Sequence, residues 1–451
     1  MPTPIRPDYP VINDPARPQW HFGPPAQWMN DPNGIIWHEG WCHLFYQHNP
    51  GGDEWGDMHW GHARSRDLIN WEHLPIALHP QHAAGEHHCY SGCCVPDAVG
   101  APRILYTSVP PEAPRRATQI MATPNGQDLV NWTQRVTSPV LDLATHGGPD
   151  FPGDWRDPYV FQAEGRTFLI LGAVLGNESV LPLYENPDGN LHQWVYRGIL
   201  WRELHTDTRF LECPSLVPIG DHWVLFTAPC RQMEWHRGTL DLQTYRFHAE
   251  QNGRLDESVQ CYASQVKLAP DGRAIAFSWA RHFPKNRGWN GCLAVPRHVW
   301  LEADGLCSAP IAEIDRLHEY HVAYPAAEIS AEPLILSLPG DCSSHGELQL
   351  HQPAGARLEI ELCGVKVLIE HHRVSFADQP SAPLHDDQHL RLVWLLDRSL
   401  LELFINDRAT CTRVVAYPSL NAVKLRATPG AKLIAGRAWS MRAAPVMPRA
   451  T

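Results

Sequence analysis

No apolar run in this chain approaches the roughly 18 residues needed to cross a bilayer, so a membrane span is not expected. The opening stretch MPTPIRPDYPVINDP has no apolar core of the kind a secretory signal carries, and a cytoplasmic location is the expectation. Positive charge is also scarce. Lys and Arg number 37 against 49 Asp and Glu, a formal net charge of −12, and this excludes the basic footprint of a nucleic-acid binder. Paired cysteine spacing is missing too. The 12 cysteines are scattered through 451 residues, which reads as reduced thiols and not as a disulfide framework. The one dense patch, His87-His88-Cys89 with Cys93-Cys94, lacks the second ligand pair of a zinc site. It reads as a strand start with small buried thiols, and neither metal nor cofactor is expected.

What the chain does have is tryptophan and repetition. Sixteen of the 18 Trp precede residue 310, the exceptions being Trp394 and Trp439. Flat rings with a polar edge fill cores, and they also suit the faces of sugars. Asp31, Ser91, Asp157 and Glu212 each open a polar residue, short apolar run, polar turn and second apolar run, the signature of a hairpin. A second marker runs out of phase. Asp67-Leu-Ile-Asn-Trp71 matches Asp128-Leu-Val-Asn-Trp132, with a weaker copy ending at Trp194. Both markers repeat at about 60 residues, room for four short strands, which is one propeller blade. The expected fold is all-β: a five-bladed β-propeller over 1–310, a linker over 311–329, and a β-sandwich over 330–451. The hairpin Leu390–Leu396, Asp397-Arg398-Ser399, Leu400–Ile405 is the clearest sandwich element.

The repeat also predicts chemistry. In a propeller the innermost strands line a central channel, so equivalent positions from different blades converge. Three of the four marker residues are carboxylates. Taken alone, Asp31 and Asp157 read as turn acids, because Asp-Pro is a turn dipeptide. Converging at a channel mouth among Trp and Asn, three acids suggest glycoside hydrolysis, which needs a carboxylate on each side of the scissile bond.

At these residues the chain resembles glycoside hydrolase family 32, the invertase and fructanase family. Trp28-Met-Asn-Asp31-Pro-Asn-Gly34 looks like its signature heptapeptide. Tyr46–Pro50, Trp55–His62, Trp71–Pro75, Arg156-Asp157-Pro158, Glu212-Cys213-Pro214, Arg287–Gly291, Pro296-Arg297 and Val393–Asp407 follow in the family's order. The resemblance implies Asp31 as nucleophile and Glu212 as acid/base. It implies that Asp157 holds fructose hydroxyls, with Asn30, Gln47, Trp55, Ser91 and Arg156 completing the fructose subsite. The apolar sequence neighbours Phe210 and Leu211 suit a Glu212 that must carry a proton. The partner implied is a small carbohydrate: sucrose or a short fructo-oligosaccharide, with sucrose 6-phosphate or a fructan as alternatives. Arg64, Arg209, Lys285 and Arg287 are the cations near the motifs that a phosphate would want. Three departures from the family pattern, Cys93-Cys94, Leu211 and Ser215, would touch leaving-group binding. A family 43 arabinanase or xylosidase shares the propeller but not the heptapeptide. A non-catalytic sugar binder would be expected to lack one of the three acids.

Overall fold

The structure, a computed structural model, describes residues 12–111, 117–204, 209–377, 379, 381–418 and 420–444, together with the backbone of 447–448. The opening stretch considered above therefore lies mostly outside the described residues. Among the described residues no helix is long and apolar enough to cross a membrane.

Five antiparallel sheets, each with four principal strands, follow one another from Gln27 to Pro310. Their first strands are Gln27–His38, His88–Pro96, Trp155–Ala163, Glu212–Ile219 and Cys261–Leu268. Each first strand packs beside those of the sheets before and after it, and the fifth returns to the first. This closed ring is a β-propeller. Trp289–Asn290 completes the closure by pairing in parallel with Gln27 and Trp28. The turn that follows requires glycine: Gly291 has φ +83°, and a Cβ there would lie 2.2 Å from the Met29 carbonyl oxygen.

The second sequence marker is a turn leading into the last strand of a sheet. Asp67 accepts from the N–H of Ile69 and Asn70 (3.1 and 2.8 Å), and Leu68 takes φ +64°. The Trp71 indole then donates to the Leu68 carbonyl at 3.1 Å. Leu129 and Trp132, and Leu191 and Trp194, repeat this closure at 2.7 and 3.1 Å. The periodic Trp residues are thus turn locks as well as core.

The first marker hides a feature the spacing did not reveal. Every first strand carries the same β-bulge. Two residues oppose one at Asn30-Asp31, Tyr90-Ser91, Asp157-Pro158, Cys213-Pro214 and Ala263-Ser264. Asp31, Ser91, Asp157 and Glu212, expected at one equivalent point, are therefore offset. Asp31 and Ser91 are second in their bulges, Asp157 is first, and Glu212 precedes its bulge. Alignment by residue type missed the offset because an extra, unpaired residue leaves no apolar signature.

The sandwich consists of two sheets closing on one apolar core that includes Leu348, Ile360, Val367, Leu392, Trp394 and Leu403. The hairpin His389–Asp397 and Leu400–Ile405 forms as expected, with Arg398 at φ +57° in its turn. The expected linker is shorter than 311–329. After a short 3-10 helix at Ala312–Leu317, strands His318–Tyr324 and Ala327–Ile329 already pair with Ala431–Met441 of the sandwich. Most of His318–Tyr324 is exposed, although Tyr320, Val322 and Tyr324 alternate along it as in a strand.

Between the two units lies a seam of charged side chains. Asp397 accepts from the N–H groups of Gln19, Trp20 and His21 at 2.8–3.0 Å, and from the His21 ring at 2.9 Å. Glu402 receives the other His21 nitrogen at 2.9 Å, the Val295 N–H at 2.8 Å and Arg297 at 2.7 Å. Arg297 also reaches Asp256 at 3.0 Å, and Asp256 in turn takes the Thr412 hydroxyl at 2.8 Å. All five charged side chains are fully buried.

Candidate active site

One pocket of about 250 Å³ takes side chains from all five sheets. It is lined by Asn30, Asp31, Gln47 and Trp55 of the first, Tyr90 and Ser91 of the second, and Arg156 and Asp157 of the third. Glu212 and Cys213 of the fourth and Tyr262, Trp279 and Arg281 of the fifth complete it. All eight residues singled out in the sequence are therefore neighbours. The bulges decide which positions face inward. In the first two sheets the bulged pair lines the pocket. In the third and fourth it is the residue before the bulge and the first bulged residue.

Asp31 is tied at both oxygens. The Trp28 indole donates to Asn30 Oδ1 at 2.7 Å, which turns the Asn30 amide so that its Nδ2 donates to Asp31 at 3.0 Å. Ser91 donates to the other oxygen at 2.5 Å, and the Cys213 thiol lies 3.5 Å from it. Burial pushes the Asp31 carboxyl up, and Glu212 adds to this, while Ser91 and Asn30 pull the other way. The Cys213 thiol is held far above its ordinary range by burial and three nearby acids, so it stays a proton donor.

Asp157 sits at φ +68°, a left-handed backbone that its bulge imposes. Its N–H donates to Thr107 Oγ1 at 3.0 Å, and its carboxylate accepts from the Cys213 N–H at 3.0 Å. Burial pushes it up to about 7, opposed by Arg156 and reinforced by Glu212 and Asp31.

Glu212 meets polar partners, not the apolar wall its sequence neighbours suggested. Arg156 donates to Oε1 at 2.8 Å and Tyr262 to Oε2 at 2.5 Å. Leu211 is fully buried in the core, and Phe210 lies beneath the Arg156 guanidinium at 4.1 Å. Arg156 thus sits between Asp154, Asp157 and Glu212. Gln47 is buried and donates to the Cys89 carbonyl at 2.7 Å. Trp55 stands at the rim, 48% exposed, with His88 and Tyr90 at its side.

Sequence reasoning missed Tyr90, Cys213, Tyr262, Trp279 and Arg281. Tyr262 had one sequence signal, its place 50 residues after Glu212, near the blade period; the structure puts it before the fifth bulge as Glu212 is before the fourth. The four cations offered for a phosphate fare differently. Arg64 pairs with Glu72, Lys285 with Glu54 and Arg287 with Asp14, and none of the four lines the pocket. Arg281 does, with its guanidinium 3.8 Å above the Tyr262 ring and Nε donating to the Val259 carbonyl. The three departures from the family pattern also lie elsewhere. Cys93, Cys94, Leu211 and Ser215 are all buried beneath the strands, outside the pocket lining.

The arrangement brings three carboxylates and two guanidinium groups to one small concavity with an aromatic rim. It can supply a fixed anionic nucleophile, a proton donor and a ring of hydroxyl-binding groups. Comparison with known proteins agrees on the family. Residues 21–310 match the model of the glycosyl hydrolases family 32 N-terminal domain, and residues 365–440 match that of the family 32 C-terminal domain. The chain is 28% identical to an Escherichia coli sucrose-6-phosphate hydrolase over 94% of each chain. It is 29% identical to an E. coli raffinose invertase, covering 90% of this chain and 91% of that one. A Bombyx mori β-fructofuranosidase solved in complex with sucrose superposes with a TM-score of 0.80 at 26% identity, over 96% of both chains.

Proposed function

The chain belongs to glycoside hydrolase family 32, and from that premise we propose that it is a retaining β-fructosidase that releases terminal β-D-fructofuranosyl units from sucrose and short fructo-oligosaccharides. The observation that carries this reading is the single pocket in which Asp31, Asp157 and Glu212 meet. Asp31 attacks the anomeric carbon of fructose as the bond to the leaving oxygen breaks, and Glu212 gives that oxygen its proton. Glu212 then takes a proton from water, which attacks the same carbon and frees Asp31. Two displacements retain configuration. Asn30, Ser91 and the Cys213 thiol favour the ionised Asp31 that attack requires. Asp157, poised near neutrality, donates to or accepts from fructose hydroxyls, with Arg156, Gln47 and Trp55 completing the subsite. The propeller over 1–310 is the catalytic unit in this reading.

The pocket is small beside the several hundred Å³ of common ligand sites, which favours one sugar ring and a short leaving group over a polymer. Unphosphorylated sucrose is the substrate of choice, and long fructans are poor ones. A cytoplasmic location belongs to the same proposal. It is supported by twelve cysteines that are all free, most of them buried, as reducing conditions keep them. One observation favours a second reading, sucrose 6-phosphate: the guanidinium of Arg281 lines the pocket. The deciding measurement is kcat/KM for sucrose against sucrose 6-phosphate, since that ratio reports differential transition-state binding. A preference for the phosphorylated sugar above about tenfold overturns the first reading. NMR of the first-released fructose tests the mechanism, and inverted product overturns it.

A further inference from the structure

Outside the pocket, a second cluster of ligand-type side chains lies where the third and fourth sheets meet. Glu234 and His236 are two residues apart on the strand Glu234–Asp241, so both side chains leave the same face. Trp235 between them turns the other way and is buried. Glu203 approaches from Val195–Leu204, the outermost strand of the third sheet. One oxygen or nitrogen from each of the three lies within 4.8 Å of the others.

His236 is the unusual member. It is 7% exposed, and its Nε2 has no hydrogen-bond partner. That nitrogen points at Glu203 Oε1 and Glu234 Oε2, 3.6 and 4.0 Å away, too far for a hydrogen bond to either. A buried ring nitrogen suspended between two carboxylates is a costly arrangement unless something sits among them. The surroundings hold the donors in place. The Trp201 indole donates to Glu203 Oε1 at 3.1 Å and its ring lies 5.0 Å from that of His236. Arg231 grips Glu234 at 2.8 and 3.2 Å. The cluster opens on a separate cleft of about 610 Å³, walled on its far side by Ser381, Ala382 and Pro383 of the sandwich. It shares no lining residue with the carboxylate pocket.

We propose that Glu203, Glu234 and His236 form a binding site for a divalent transition cation of the Zn²⁺ type. Two carboxylates and an imidazole are a borderline donor set suited to such an ion. Ligand bonds of about 2.0–2.1 Å put tetrahedral donors roughly 3.4 Å apart, so His236 must close on Glu203 by about 0.2 Å and on Glu234 by about 0.6 Å, and the two carboxylates, within 4.8 Å of each other, must close by up to about 1.4 Å. Arg231, which also lies 3.9 Å from Glu203 Oε2, keeps its bond to Glu234 Oε1 and gives up Oε2 to the ion, and water fills the remaining position. The ion ties the outermost strand of the third sheet to the third strand of the fourth, away from the chemistry.

The test uses the full-length protein, stripped by a chelator and then titrated with ZnCl₂ by calorimetry and with CoCl₂ by visible absorption. The expected result is one tight equivalent, a cobalt spectrum without thiolate bands, and a melting temperature raised by a few degrees. His236→Gln removes all three, and so does Glu203→Gln, which alters a partly exposed residue and guards against misfolding of the first variant. Sucrose turnover by both variants stays at the wild-type level. The proposal is overturned if the wild type takes up no stoichiometric ion. It is equally overturned if both variants bind as the wild type does, as Cys230 or the Asp315, His318 and His345 group would give.

Discussion

The pocket and the seam hold the same formal inventory of charge, three acids and two cations, and use it in opposite ways. In the seam, every carboxylate oxygen of Asp256, Asp397 and Glu402 accepts at least one hydrogen bond, and both cations lie between acids. Glu402 is lowered despite burial, because Arg297 and His21 outweigh it. His21 is raised to about 9, burial being overcome by its bonds to Asp397 and Glu402. In the pocket only Arg156 pairs with acids, while Arg281 lies over a ring. Burial then wins, and Asp31 and Asp157 are pushed up. Pairing of every carboxylate oxygen, with only Arg297 Nε left without a hydrogen bond, makes buried charge inert and structural. Partial pairing leaves protons that can move.

The contrast can be broken by exchanging the consequences. Asp31→Asn, nearly isosteric, should abolish sucrose turnover and leave the melting temperature unchanged or higher, since it removes an under-paired buried acid. Glu212→Gln should lose at least roughly 10²–10⁴ in rate, the general acid/base contribution. Equal loss of activity and stability in either variant would erase the distinction. The converse change, Arg297→Met, should cost roughly 3–5 kcal/mol of stability by stranding Asp256 and Glu402, with kcat per folded molecule preserved. Urea unfolding monitored beside initial rates separates the two.

Linkage to pH sharpens the comparison further. A His raised from its ordinary 6.5 to about 9 contributes stability fully present below pH 6.5 and lost as pH rises through about 9. Wild type minus His21→Gln should show that decline between those limits, roughly 3 kcal/mol at most. Asp157 works in a lower window. An acid raised from 3.8 to about 7 binds more protons when folded, so its share of stability falls from pH 3.8 to 7 and is flat above. Asp157→Asn should remove that slope and leave the His21 slope intact. The smallest effect expected is Tyr262→Phe. Loss of its hydrogen bond to Glu212 should lower kcat/KM about tenfold, near 1.4 kcal/mol, without moving the unfolding midpoint.

The membership of the pocket was more legible than the order of the seam. Asp31-Pro32, Asp157-Pro158 and Glu212-Cys213-Pro214 announce themselves because a carboxylate at the head of an apolar strand recurs with the blade. The Asp-Leu-x-Asn-Trp turns are equally plain, since a local hydrogen-bond scheme dictates their residues. What stayed hidden depends on partners remote in the chain. His21 and Asp397 are 376 residues apart, and neither carries a local sign of the other. Pro296-Arg297 and Val393–Asp407 were noticed as separate resemblances, whereas their contact at Glu402 is purely tertiary. The contribution of the fifth sheet was missed for another reason: it offers a tyrosine and an arginine where the search was for acids.

The recurrent bulge has a consequence for how such a site can be redesigned. Which sheet a residue belongs to sets its bearing around the axis. Which place it takes, before the bulge or first or second within it, sets its depth, in steps of about 3.3 Å along a strand. Glu212, Asp157 and Asp31 occupy those three places in turn, each on a different sheet. The two settings are coupled: the first two sheets turn the bulged pair inward, the third and fourth the residue before the bulge and the first bulged one. A carboxylate can therefore be moved only between the two places that its own sheet presents to the pocket.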